Sequence, residues 1–217
     1  MPSVDRELNV PSEARQYTSE RQGSHSYLSG PIRELCARNA PAGGRVLDLG
    51  CGNGWLAREL DEFGFEVTGV EPSESGIRCA RQLVPRASFH QLGVYDDLSD
   101  IPDEGYDAVL SAEVIEHLFA PRALIEVARN KLKPGGTFIV TTPYHGFAKN
   151  LAISLWNGWD RHHQPGHDGG HIKFFSMQTL QGLLEERGFK VIDFVGVGRV
   201  PWLWKSMILV ARKAPHG

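Results

Sequence analysis

The stretch "RVLDLGCGNGWLA", Arg45 to Ala57, constrains this chain more than any other. An apolar strand pattern runs straight into Gly50, Gly52 and Gly54. A backbone that bare, between a strand and a helix, belongs to an open α/β sheet, where ligands bind beyond the carboxyl ends of strands. Gly50 and Gly52 allow close approaches that a Cβ would block. The helix N-terminus that follows favours a negative ligand group. Glu71 ends the next strand, twenty-one positions after Gly50, and a carboxylate there can accept hydrogen bonds from ribose hydroxyls.

The rest of the pattern alternates strands and helices. A helix is predicted from Pro31 to the turn "APAGG" at 40–44, since proline suits a first helical position. Strands are predicted at 45–49, 66–71, 87–92, 106–112 and 137–143. Helices are predicted at 54–63, 73–84, 121–132 and 176–187, with a helical "EVIEHL" at 113–118. "FKVIDFVGVG" and "SMILVAR" read as two final strands. The alternation implies a Rossmann-like three-layer α/β sandwich with a mostly parallel sheet. The last two strands are joined only by "RVPWLW", which favours an antiparallel pairing.

The chain has 217 residues, which suits a single domain. Residues 1–30 are polar and read as an N-terminal extension rather than a signal peptide. No run of 18 apolar residues predicts a membrane span. Three cysteines without a CxxC pair fit a reducing, cytoplasmic setting. A net charge of −3 offers no basic field for nucleic acid.

The glycine loop and Glu71 alone suit NAD and S-adenosylmethionine equally. Two details separate them. The dinucleotide fingerprint wants a third glycine where this chain has Trp55, and no lysine follows to hold a triphosphate. A ligand with a carboxylate and no phosphate fits better.

"LDLGCGNG", "GVEPS", "YDAVLSAEVIEHL" and "LKPGGTFIVTTP", in this order and spacing, resemble the motifs of class I S-adenosylmethionine-dependent methyltransferases. The resemblance covers residues 45–145. It implies a seven-stranded sheet with strand seven antiparallel. It also implies that Asp48, Gly50, Cys51 and Gly52 surround the methionine part of the cofactor, that Glu71 takes the ribose, and that Pro72 and Ser73 lie beside the adenine. Ser111, Ala112 and Glu113 would line the cleft near the methyl group. The family often has an acidic residue after strand three; here Gly93 stands there, with Val94, Tyr95 or Asp96 as substitutes.

Glu113, Glu116 and His117 are spaced i, i+3, i+4, which in a helix puts them on one face. Two carboxylates and an imidazole suit a divalent metal. The segment resembles the ExxEH metal ligands of ubiquinone-pathway O-methyltransferases and of small-RNA terminal methyltransferases, and His171 resembles a further histidine of the RNA family. The alternative is that Glu116 and His117 only hydrogen-bond the fold. His145, after strand five, is a candidate base or acceptor contact. Oxygen methylation with His117, His145 or His171 as base is the leading expectation. Nitrogen methylation and a non-catalytic cofactor-binding module are the rivals.

The histidine-rich "RHHQPGHDGGH" holds too much Pro and Gly for a helix, and reads as a loop lending one histidine to the site. His25 and Tyr27 are candidates for folding over the cofactor, the alternative being an uninvolved tail. Residues 146–175 form a lid-like insertion whose first part, 147–159, repeats apolar residues every four. Packing on its own domain, a substrate lid and peripheral membrane contact are its three readings. Trp156, Trp159, Trp202 and Trp204 favour an apolar small-molecule acceptor.

Overall fold

The computed structural model describes residues 16–20, 23–163, 165–167 and 169–214. Most of the N-terminal extension and the side chain of His25 lie outside the described residues.

Helix α1 (His25–Asn39) leads into β1 (Arg45–Leu49), α2 (Trp55–Glu62), β2 (Glu66–Val70), α3 (Glu74–Leu83) and β3 (Ser88–His90). Then come β4 (Tyr106–Ala112), a 3-10 turn (Ile115–His117), α4 (Pro121–Lys131) and β5 (Leu132–Pro143). The chain continues through α5 (Phe147–Leu155), α6 (Trp159–His163), α7 (Met177–Glu185), β6 (Phe189–Val197) and β7 (Ser206–Lys213).

The seven strands form one sheet in the order β3-β2-β1-β4-β5-β7-β6. β7 runs antiparallel to both its neighbours, and the remaining pairings are parallel. Alternation along each strand sends apolar side chains to both faces. Leu47, Val109, Phe138 and Leu209 pack on one face with α4 and α7. Val46, Leu110, Ile139 and Ile208 pack on the other with α1, α2 and α3. Two buried faces are what a mostly parallel sheet requires. Strand order reverses between β1 and β4, and that switch point is where an open sheet opens a ligand crevice.

Three local expectations need correction. Helix α1 starts at His25, so Pro31 lies inside it and not at its first position. Leu28, Ile32, Leu35 and Cys36 form its buried stripe, and that burial outweighs the hydrogen bond Pro31 removes. The fifth strand, predicted at 137–143, starts earlier: β5 begins at Leu132, pairs there with Tyr106, and passes through an irregularity before the main ladder. "EVIEHL" is not an α-helix. β4 ends at Ala112, Glu113 takes a left-handed φ of 56°, and only one 3-10 turn follows.

Candidate active site

The loop after β1 bends as its glycines permit. Gly50 has φ 85°, and a Cβ there would overlap Val114 of the segment after β4. The two loops of the switch point therefore touch. Gly54 has φ 84°, and a Cβ would lie 2.8 Å from the Cα of Ala80 in α3. Close packing is thus met one position before Trp55.

Glu71 lies at the end of β2, buried. Its Oε2 accepts from the Gly52 amide at 3.1 Å and its Oε1 from the Ser73 amide at 3.0 Å. The Ser73 hydroxyl caps α3 by accepting from Gly76. Asp48 is buried, and its Oδ2 has no hydrogen-bond partner among the described residues. Burial, then the Glu71 charge, pushes its carboxyl up to about 7. A buried carboxylate oxygen left open beside a bare loop asks for an N–H donor. Cys51 is buried and its thiol is pushed far up by burial, which removes it as a nucleophile.

At the other end of the crevice, Gly93 does not leave the position without an acid. Its amide donates to Asp96 Oδ2 at 2.6 Å, and that oxygen lies near where a Cβ of Gly93, next to Pro72, would stand. Val94 packs against the core, and the Tyr95 hydroxyl accepts from the Ala120 amide. Ser111 is buried and donates to the Leu49 carbonyl, tying β4 to β1. Ala112 packs against the second core.

Glu113 departs from the metal set expected of it. The turn in backbone sends its carboxylate to β5 and β7, where Oε1 accepts from Thr141 and Oε2 from Ser206. Ser206 also shares a hydrogen bond with Tyr27 of α1. A left-handed non-glycine residue costs about 1–3 kcal/mol, and these bonds hold it. Burial pushes the Glu113 carboxyl up to about 7, against the lowering effect of the Thr141 and Ser206 hydrogen bonds.

The structure instead groups Glu116, His117 and His171, with one ligand atom from each within 4.8 Å of the others. Glu116 is fully buried, and its Oε2 accepts from Thr142. Its Oε1 lies 3.9 Å from Nε2 of both His117 and His171. Nδ1 of His117 faces the Gly170 carbonyl at 3.2 Å, which turns Nε2 toward Glu116. The amides of Ile172 and Lys173 donate to the Glu116 carbonyl, fixing the loop that carries His171. A carboxylate with two imidazoles, one oriented by a backbone carbonyl, is a donor set that suits a divalent cation.

His145 does not join that cluster directly. It faces His163 at 5.6 Å and Phe174 at 5.1 Å between ring centres. Burial, then the Lys149 charge, holds its imidazole down at about 4. His145 and His171 line one cavity of about 150 Å³ together with Lys149, His162, His163 and Arg199. No tryptophan lines it. Trp204 packs on Tyr144 and Phe194, while Trp156 and Trp202 face outward. The apolar acceptor expected from the tryptophans therefore gains no support from the cavity wall.

Tyr17, Asn53, Lys149 and Arg199 join this region without having been expected as site residues. The Tyr17 ring stands over Gly52 and Gly76. Asn53 donates to the carbonyls of Thr18 and Glu20, both at 2.8 Å, and Trp55 donates to Ser19 at 3.0 Å. A second cavity, of about 460 Å³, lies between this strap and Asn53. Lys149 and Arg199 complete the set. Lys149, interleaved in an apolar run, was the one with a visible signal: it is the buried residue of α5, whose Phe147 and Trp156 are 83% and 79% exposed.

Sheet order, glycine loop and acid after β2 define a Rossmann-like enzyme class that binds an adenosyl cofactor. Residues 18–193 match the family described as "Methyltransferase domain", and the chain belongs to that family. It is 37% identical over 177 residues to the ubiquinone biosynthesis O-methyltransferase of Xanthomonas axonopodis pv. citri, covering 79% of this chain and 74% of that protein. It is 27% identical to the mitochondrial enzyme of that name from Homo sapiens over 76% of this chain, and that match takes in 47% of the human protein's length. A solved structure of Burkholderia thailandensis 1,6-didemethyltoxoflavin-N1-methyltransferase with bound S-adenosylhomocysteine shares the fold. Its TM-score is 0.66 at 19% identity, over 86% of this chain and 78% of the other. The chain is an S-adenosylmethionine-dependent methyltransferase. No helix among the described residues is long and apolar enough to cross a membrane.

Proposed function

We propose that this enzyme transfers the methyl group to a hydroxyl oxygen of a small molecule. The observation that carries this reading is the Glu116–His117–His171 cluster beside the cavity that His171 lines. Methyl transfer from a sulfonium is an in-line displacement, so alignment supplies most of the acceleration. Asp48 would receive the cofactor's amino group, Glu71 the ribose, and Asp96 the adenine amine. Glu116, His117 and His171 would hold a divalent cation. Such an ion, when bound, supplies Lewis-acid polarisation of an oxygen. His145, neutral at pH 7 by its burial, accepts the hydroxyl proton at a ring nitrogen. The insertion 146–175, which gives Lys149, His162, His163 and His171 to the cavity wall, would serve as its cover, and the outward apolar face of α5 supports peripheral contact with a bilayer.

The test follows labelled methyl from S-adenosylmethionine into matched hydroxyl and amine acceptors, with product mass and linkage determined. Transfer to oxygen, lost with chelator and restored by Mg²⁺, Mn²⁺ or Zn²⁺, is expected. His117→Ala and His171→Ala should each bind Mn²⁺ at least about tenfold more weakly. Transfer to nitrogen alone would overturn the reading. Co-sedimentation with vesicles, reduced in Trp156→Glu, tests the membrane contact.

A further inference from the structure

The 150 Å³ cavity next to the Glu116–His117–His171 cluster has a one-sided wall. Four histidines, two lysines and one arginine line it, with Pro143 and no acidic side chain. Lys149 enters from α5, while Arg199 and Lys205 come from the β6–β7 connection. Lys149 is only 5% exposed. Its ammonium donates to the Lys205 carbonyl at 3.3 Å and has no ion pair among the described residues. Arg199 and Lys205 are exposed at the cavity mouth, Lys205 over the Tyr27 ring. Lys149 is the buried one of the three; it feels the Glu113 charge but makes no direct ion pair among the described residues, and a buried cation left so is costly, so it marks a place for a ligand.

The inverted helix strengthens this. α5 turns its aromatic and aliphatic side chains to solvent and its one lysine inward. Ordinary packing would do the reverse. The cations also crowd one another: burial, then the Arg199 charge, pulls the Lys149 ammonium down to about 8, against the raising effect of Glu113. Burial, then Lys149, holds His162 at about 4. An anion seated between them would relieve both.

The geometry points to an acidic acceptor, whose carboxylate or phosphate group sits between Lys149, Arg199 and Lys205 while its hydroxyl is presented at the His171 side of the same cavity. The volume holds roughly five waters at ~30 Å³ each, enough for one such group and not for a whole large substrate. The rest of the acceptor extends outward. This inference rests on the methyl-transfer reading of the same site and adds the substrate's charge to it.

The experiment uses the full chain loaded with S-adenosylhomocysteine. Inorganic phosphate and benzoate are titrated by calorimetry at low salt, and the tighter of the two names the anion. Saturable binding is expected. Arg199→Gln and Lys205→Gln, both exposed positions that spare the core, should each weaken it at least about tenfold, as loss of a charge-assisted hydrogen bond does. Lys149→Gln should do the same, and Lys190→Gln, on β6, should not. In turnover, hydroxybenzoate is compared with hydroxybenzamide, and glucose 6-phosphate with glucose. A raised KM for the charged member alone in Arg199→Gln supports the proposal. Absent saturable anion binding, or binding unmoved by both exposed variants, overturns it. Anion binding without any oxygen methylation would leave this site standing and remove the oxygen reading instead.

Discussion

Glu71 and Gly52 are joined directly: the carboxylate at the end of β2 accepts the amide of the glycine loop at 3.1 Å, and its other oxygen takes Ser73. One side chain thus sets the spacing of the loops after β1 and β2, and in the proposed cofactor site it would take the ribose. Glu71→Ala loses both. Affinity for S-adenosylhomocysteine should fall at least about 30-fold, since two charge-assisted hydrogen bonds are worth about 2 kcal/mol or more. Titration calorimetry measures this. Glu71→Gln, which keeps one carbonyl oxygen, should fall between. An unchanged affinity in a folded Glu71→Ala would move the ribose elsewhere.

Gly54 is fixed by geometry rather than by ligand. Its φ of 84° and the 2.8 Å approach of a would-be Cβ to the Ala80 backbone act together. Gly54→Ala should cost about 2–5 kcal/mol, from left-handed strain of ~1–2 and overpacking of ~1–3. Urea unfolding measures the shift in midpoint. A cost under ~1 kcal/mol would mean that α3 moves freely away from α2.

Much of this was legible beforehand, and the failures have physical causes. β1 and β4 were read to the residue because alternating buried side chains end at glycines or at a change of period. The antiparallel end of the sheet followed from the shortness of the 199–204 connection. The helical reading of 113–118 failed because periodicity says nothing of φ, and Glu113 turns left-handed to reach Thr141 and Ser206. That moved Glu113 out of the cluster and let His171, fifty-four positions from His117, replace it. Tyr17 was missed because polar residues 16–20 have no period; they are held by tertiary hydrogen bonds with Asn53, Trp55 and Ser75, which no local pattern announces.

The pH dependence of stability has two opposed parts, the first shared by Asp48 and Glu113, both pushed up to about 7, the second by His145 and His162, both held at about 4. Asp48 titrates at about 7 in the folded protein and at ~3.9 unfolded. Between those values the folded chain holds a proton the unfolded chain has lost, so stability falls as pH rises from about 4 to 7. His145 titrates at about 4 folded and 6.5 unfolded. There the unfolded chain binds the extra proton, so stability falls as pH drops from 6.5 toward 4. Urea titrations without ligand should show Asp48→Asn flattening the first slope and His145→Gln the second. If Asp48 receives the cofactor's amino group, binding at pH 6.5 should also release a proton, seen as a buffer-dependent heat. Profiles of both variants that overlay the parent's would refute these assignments.

The strap is the last test, because it explains why a tryptophan stands where a dinucleotide site needs glycine. Trp55 Nε1 donates to the Ser19 carbonyl, and Asn53 donates to Thr18 and Glu20 on either side of it. Between them Tyr17 is anchored by its amide to Ser75 and lays its ring over Gly52. The loop that would contact the cofactor is therefore also the latch for the segment above it. Asn53→Ala removes two hydrogen bonds at about 1 kcal/mol each. The strap should open more often, and S-adenosylhomocysteine should dissociate about tenfold faster, measured by stopped-flow displacement. Because the strap's hydrogen bonds among the described residues run to Asn53, Trp55 and Ser75 and not to the Glu116 cluster, Mn²⁺ affinity should not change. Faster release with unaltered Mn²⁺ binding separates a cover over the cofactor from a general loosening of the crevice, whereas weakening of both would assign Asn53 to the scaffold.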